Sequence, residues 1–179
     1  FLVWGGGVGD VPAPQYYLDG AAYDPRTKRW RRMASAPIEA RSLASGVWTG
    51  SRFFVWGGRH EEVFYRDGAA YDPESDTWER IIEAPIEPRY QASLTWTGRG
   101  VIVRSGPGAD PGGDTFIPRT DAAIYLPATR TWLSLPAPDL APRSSEQTAW
   151  TGTQLIVWSG CCTQDDYPLP FSDGAVYTP

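Results

Sequence analysis

The stretch DGAAYDP fills residues 19–25 and returns unchanged at residues 67–73, then in altered form as DAAIYLP (121–127) and DGAVYTP (173–179). Each copy reads as a short strand closed by a turn, because the small and aromatic residues suit a packed sheet and the Pro presets φ for the turn that follows. Behind the first three copies comes a Trp, at Trp30, Trp78 and Trp132, and then a Pro-rich link ending in Arg41, Arg89 or Arg143. Ahead of each copy lies a second recurring run: FLVWGG (1–6), FFVWGG (53–58), VIVRSG (101–106) and LIVWSG (155–160). The last three of these runs follow a strand-like segment and a Thr-Gly turn, with Gly50, Gly98 and Gly152 supplying a positive φ.

The intervals separate what is rigid from what is free. From motif Asp to Trp the step is 11 residues in three copies (19 to 30, 67 to 78, 121 to 132), and from Trp to Arg it is again 11. From Arg to the closing Gly it is 17 (41 to 58, 89 to 106, 143 to 160). Only the step from that Gly to the next motif Asp varies, at 13, 9, 15 and 13 residues. All length variation therefore falls in one loop per unit. Each unit holds four strands, A (41–48), B (53–56), C (69–71) and D (about 78–82) in the numbering of the second, and the Pro-rich D–A link leaves the sheet because Pro cannot donate ladder bonds. The units run about 1–40 (partial), 41–88, 89–142 and 143–179 (partial) within a single incomplete domain, 1–179.

Composition agrees with an all-β chain. Of 179 residues 41% are hydrophobic, enough for a core, and the 19 Gly and 17 Pro imply many short elements and turns. The net charge of -5 argues against a phosphate-binding surface, so nucleic acid is set aside as a partner. No run approaches 18 consecutive apolar residues, so no membrane-spanning helix is expected.

Four-stranded antiparallel units at about 50-residue spacing are the mark of a kelch-type β-propeller. The Gly pair after strand B, the Tyr-Asp-Pro after strand C, the Trp opening strand D and the Arg opening strand A make the chain resemble bacterial kelch-repeat proteins with a galactose-oxidase-like propeller domain. The resemblance implies six or seven blades in all and a secreted or cell-envelope protein, although no signal peptide is visible in this stretch. Counting strands from FLVWGG to DGAVYTP gives three, four, four and three, so the chain reads as an interior piece of a longer propeller. The third unit departs most, with Arg104 for Trp, Ala122 for Gly and Leu126 for Asp, and a weakened end of strand B is expected there.

All nine Trp fall on unit landmarks, so they are read as packing between sheets rather than as a sugar-stacking surface. Tyr65 and Tyr167, like Tyr16, Tyr17, Phe64 and Phe171, lie in the variable loops and obey no landmark. Strand topology brings those B–C loops to the same face as the D–A links, which makes that face the default binding site. In kelch proteins that bind acidic peptides, Arg at this position contacts ligand carboxylates, so the resemblance nominates Arg41, Arg89 and Arg143, with Ser42, Tyr90, Gln91, Ser144 and Ser145 as polar neighbours. The alternative is that these Arg pair with local carboxylates such as Glu39 and Glu87, or bind backbone carbonyls of the link.

Signals for catalysis are weak. With His60 as its single histidine, the chain cannot assemble a copper site of two His and two Tyr in the manner of galactose oxidase. The acidic stretches 110–114 and 164–167 lack a spaced calcium-loop pattern, and GPGADPGG (106–113) lacks the Lys and helix of a phosphate cradle, so it reads as a flexible loop. No catalytic residue, metal or cofactor is expected. Adjacent Cys161 and Cys162 are read either as thiols or as a strained vicinal disulfide. The leading expectation is a non-catalytic module that recognises a protein or glycan on the loop face. The alternatives are a carbohydrate-active enzyme of the kelch fold, sugar oxidase-like or epimerase-like with catalytic groups partly outside this stretch, and a structural spacer.

Overall fold

The computed structural model of the chain describes residues 1–8, 14–109, 116–161 and 170–178, and among these it is all-β with no helix. In the first unit the strands are β1 (Leu2–Trp4), β2 (Gly7–Val8), β3 (Gln15–Tyr16), β4 (Gly20–Asp24) and β5 (Arg29–Arg32). The second holds β6 (Ser45–Trp48), β7 (Phe53–Trp56), β8 (Arg59–His60), β9 (Val63–Phe64), β10 (Gly68–Asp72) and β11 (Thr77–Ile81). The third holds β12 (Ser93–Trp96), β13 (Val101–Arg104), β14 (Pro107–Ala109), β15 (Phe116–Pro118), β16 (Ala122–Leu126) and β17 (Thr131–Leu135), and the fourth β18 (Gln147–Trp150), β19 (Leu155–Trp158) and β20 (Gly174–Tyr177).

Four antiparallel sheets result, with orders β1-β4-β5, β6-β7-β10-β11, β12-β13-β16-β17 and β18-β19-β20. Strands A and B, and strands C and D, are neighbours because a tight turn joins each pair, while strands B and C pair across the variable loop. In the C–D turn the Asp of the Tyr-Asp-Pro anchors the chain, as where Asp72 accepts the N–H of Glu74 at 2.9 Å. The sheets pack face to face, β6 beside β12 and β12 beside β18. Phe54, Trp56, Val101, Val103 and Tyr125 form the largest core cluster between the second and third sheets.

The tryptophans make the junctions. Trp4 packs on Trp78 with centroids 5.9 Å apart, and Trp56 on Trp132 at 6.3 Å, so a strand-B Trp meets the strand-D Trp of the next unit. The strand-D rings also donate backward, Trp78 Nε1 to Ala34 O at 2.8 Å and Trp132 Nε1 to Ile82 O at 3.0 Å. Three Trp depart from the packing expectation, Trp30 at 54%, Trp48 at 47% and Trp158 at 54% exposed.

One further expectation is corrected and another is met. Strand A begins four residues later than expected, at Ser45 rather than Arg41, because Leu43 takes a positive φ of 56° that breaks the extended run. Gln91 (φ 49°) and Ser145 (φ 55°) do the same before β12 and β18. The weaker end expected for strand B of the third unit shows in its pairing: Val101–Arg104 is buried throughout, but its ladder to β16 stops at Val103 and leaves out Arg104, whereas Trp4, Trp56 and Trp158 are paired to strand C in the other units.

Candidate functional site

Each D–A link is pinned by one apolar side chain, Ile38, Ile86 or Leu140, packed into a core cluster. That anchor directs the following Arg inward. Arg41, Arg89 and Arg143 are 1%, 0% and 1% exposed, and all three make the same contacts. Nε donates to the carbonyl two residues back, Glu39 O at 2.9 Å, Glu87 O at 2.8 Å and Ala141 O at 3.0 Å. Nη1 reaches the first residue after strand B, Gly57 O at 3.2 Å, Ser105 O at 3.4 Å and Ser159 O at 3.1 Å. The Asp before strand C accepts as well, from Arg41 Nη1 (Asp67, 2.7 Å), Arg89 Nη2 (Asp121, 2.5 Å) and Arg143 Nη1 (Asp173, 2.7 Å), with Arg41 Nη2 left without a hydrogen-bond partner among the described residues. Glu39 and Glu87 thus contribute carbonyls, and the carboxylate partner is the motif Asp.

This clamp holds the link, the end of strand B and the start of strand C at one point, which accounts for the fixed 17-residue step. Hydrogen bonding from Arg143 holds the Asp173 carboxyl below the ordinary carboxylate range, while burial lowers the Arg89 pKa against the raising effect of Asp121.

Above the clamp, the variable loops begin as small hairpins, β2–β3, β8–β9 and β14–β15. The start of GPGADPGG is accordingly a strand, with Pro107–Ala109 paired to Phe116–Pro118. The links and the hairpins meet directly. Ser42 and Arg59 exchange both backbone bonds at 2.9 Å, Ser144 and Cys161 do likewise, and Tyr90 N–H donates to Pro107 O at 3.1 Å.

Aromatic and cationic groups collect here. Tyr65 lies over the Arg41 guanidinium at 3.7 Å and Phe171 over that of Arg143 at 4.3 Å. Tyr16 stacks on His60 at 4.2 Å, and Tyr90 sits 5.9 Å from Phe64 and 5.5 Å from the Arg59 guanidinium. Burial pushes the Tyr65 and Tyr90 hydroxyls up in pKa. Gln91 and Ser145 are exposed, Ser42 and Tyr90 half-buried, and Ser144 buried. Tyr167 and Cys162, with all of 110–114 and 164–167, lie outside the described residues; Cys161 is disulfide-bonded.

One constellation was missed from sequence. Arg104 pairs with Glu146 at 3.2 Å, with side chains 6% and 0% exposed. Burial raises the Glu146 pKa and lowers that of Arg104. The available signal was positional, since Glu146 stands three residues after Arg143 where the second and third units carry Ala44 and Ala92, and Arg104 stands where the first, second and fourth units carry Trp4, Trp56 and Trp158.

Among the described residues no group of three or more His, Cys, Asp or Glu is placed to hold a metal ion, and no helix is long and apolar enough to cross a membrane. No protein-family model matches the chain, and no curated protein matches it either.

Proposed function

We propose that the four sheets are successive blades of a kelch-like β-propeller segment, and that the face built from the links and B–C hairpins is a non-catalytic binding surface for a protein or glycan. The observation that carries this reading is the meeting of every length-variable hairpin with a rigid Arg-clamped link, where half-buried rings and cations gather. A fixed base beneath adaptable loops is the arrangement in which recognition residues concentrate.

The buried Arg41, Arg89 and Arg143 act in this reading as positioning residues, because their donors are directed at the protein's own carbonyls and carboxylates. Ligand contact falls instead to Tyr90, Gln91 and Ser145, joined by Tyr65, Phe64 and Arg59. Screening the chain against glycan and peptide arrays supplies the ligand, and titration of Tyr90→Ala, Gln91→Ala and Ser145→Ala against it tests the face. At least one variant is expected to lose about tenfold or more in affinity, as hot-spot truncations do. Unchanged affinity in all three would overturn the proposal.

A further inference from the structure

A cavity of about 460 Å³ lies between the second and third sheets, at the end where the A–B and C–D turns gather and away from the variable hairpins. Both of its walls are four-stranded sheets. Phe54, Ile81, Trp96 and Tyr125 give it an apolar floor, and the same residues form or flank the core cluster that joins the two sheets. Around that floor stand Arg52 from the A–B turn of the second unit, Glu79 of β11, and Arg130 from the C–D turn of the third unit.

The corresponding groups at the first junction satisfy one another. There Tyr71 O–H donates to Asp76 Oδ1 at 2.5 Å, and Arg31 Nη1 donates to the Tyr71 oxygen at 2.7 Å. Arg31 follows the strand-D Trp30, and Asp76 stands five residues past Tyr71; the same positions at the second junction are Glu79, after Trp78, and Arg130, five residues past Tyr125. With the signs exchanged, the charges close on each other instead. Arg130 Nε lies 2.7 Å from Glu79 Oε1, and Arg52 Nη1 donates to Glu79 Oε2 at 2.6 Å. Both carboxylate oxygens are engaged, and among the described residues the Tyr125 O–H makes no hydrogen bond. Tyr125 is 3% exposed, and a phenol so buried ordinarily finds a partner. Burial pushes its pKa up, so it remains a donor. The Trp96 indole N–H, Arg52 Nε and Nη2, and both Nη groups of Arg130 are likewise without an acceptor among the described residues. The cavity thus has donors in surplus, and its one carboxylate is already shared by two guanidinium groups.

We propose that this cavity binds a small aromatic carboxylate, its ring against Phe54, Trp96 and Tyr125 and its carboxylate accepting from the Tyr125 O–H and the remaining nitrogens of Arg52 and Arg130. An apolar pocket with a few convergent polar groups is the usual form of a small-molecule site. Guanidinium groups suit a carboxylate because their parallel donors match its two oxygens. The apolar floor disfavours a bare inorganic anion, which would lose hydration there without replacement on that side. The site lies at the opposite end of the sheets from the hairpin face, so it goes beyond the reading given above and does not rest on it.

The probe is cinnamate, titrated against the whole chain by amide chemical shifts beside cinnamyl alcohol, cinnamylamine and acetate. Cinnamate is expected to bind about tenfold tighter than each of the other three, because only it joins an apolar body to a charged acceptor. Tyr125→Phe keeps the ring contacts with Phe54 and Trp132 and removes only the hydroxyl, so the chain should fold normally and bind cinnamate about fivefold more weakly. The Arg130 side chain is 73% exposed, so Arg130→Gln should also fold and should weaken cinnamate about tenfold. Gln91→Ala and Ser145→Ala, on the hairpin face, should leave this binding unchanged, which separates its failure from failure of the proposed function. Cinnamate binding no tighter than cinnamyl alcohol, or undiminished in both Tyr125→Phe and Arg130→Gln, overturns the proposal. Tighter binding of the amine would assign the cavity to a cation held by Glu79 and overturn it equally.

Discussion

Arg89 shows how one side chain fixes three segments: it is fully buried, and its donors reach Glu87 O, Ser105 O and both Asp121 O and Asp121 Oδ1. Both halves of the clamp were visible in sequence as recurring Arg and recurring Asp. Their partnership was not, because the hairpin between them changes length and the Arg-to-Asp step runs 26, 32 and 30 residues (41 to 67, 89 to 121, 143 to 173). Asp76 is a second local centre, where Oδ1 accepts from Tyr71 O–H at 2.5 Å, Arg31 Nη1 at 3.0 Å and Ala34 N–H at 3.1 Å. The Tyr71 bond above all holds its carboxyl below the ordinary 3.8. A depressed carboxylate contributes stability in full above that value and loses it as pH falls through the lower folded one. Wild type should therefore lose more urea stability than Asp76→Asn as pH drops from about 5 to about 2. Parallel midpoints across that range would refute this account.

Elements were legible where side-chain pattern governs them and illegible where backbone conformation does. Strand B of the second unit lies at Phe53–Trp56 as its apolar run indicates, yet strand A starts late because Leu43, Gln91 and Ser145 take the left-handed conformation, which no residue type there announces. The small hairpins were equally hidden, since Arg59–His60 and Val63–Phe64 are too short to show an alternating pattern. Two glycines separate strain from crowding. Gly50 has φ 92° with nothing within 4 Å of an added Cβ, whereas Gly58 has φ 97° and such a Cβ would lie 2.8 Å from Ser42 O. Gly50→Ala should cost about 1–2 kcal/mol for conformation alone. Gly58→Ala carries a comparable strain and must also displace the link, so its urea-unfolding loss should be larger by about 1 kcal/mol or more. Equal losses would mean that the link yields freely.

For the whole molecule, order is written at the junctions. Arg31 meets Asp76 at 3.0 Å between the first and second units, and Glu79 meets Arg130 at 2.7 Å between the second and third, with the signs reversed. At the third junction Arg104 and Glu146 stand at the positions of Trp56 and Ala92, which share one core cluster at the second. The repeat and its four strands could be read from spacing, but this exchange could not, because Arg104 looks like a defect until Glu146, 42 residues on, is placed against it. Removing one member of a buried pair leaves the other uncompensated, so Glu146→Ala should cost about 3–5 kcal/mol. Arg104→Trp with Glu146→Ala restores the pattern of the other junctions and should equal or exceed wild type, as apolar replacements of buried pairs often do. A double variant no more stable than Glu146→Ala would show that the third junction cannot accept the ring.

The backbone exchange between Ser42 and Arg59 closes the framework beneath the β8–β9 hairpin, and the same closure recurs between Ser144 and Cys161. Strain introduced above such a crossbar stays above it. A hairpin tip can therefore be transplanted from one unit to another, or extended at residues 61–62, with the Arg clamp and the Trp junctions left in register. The loop face is in that sense interchangeable hardware on a fixed chassis.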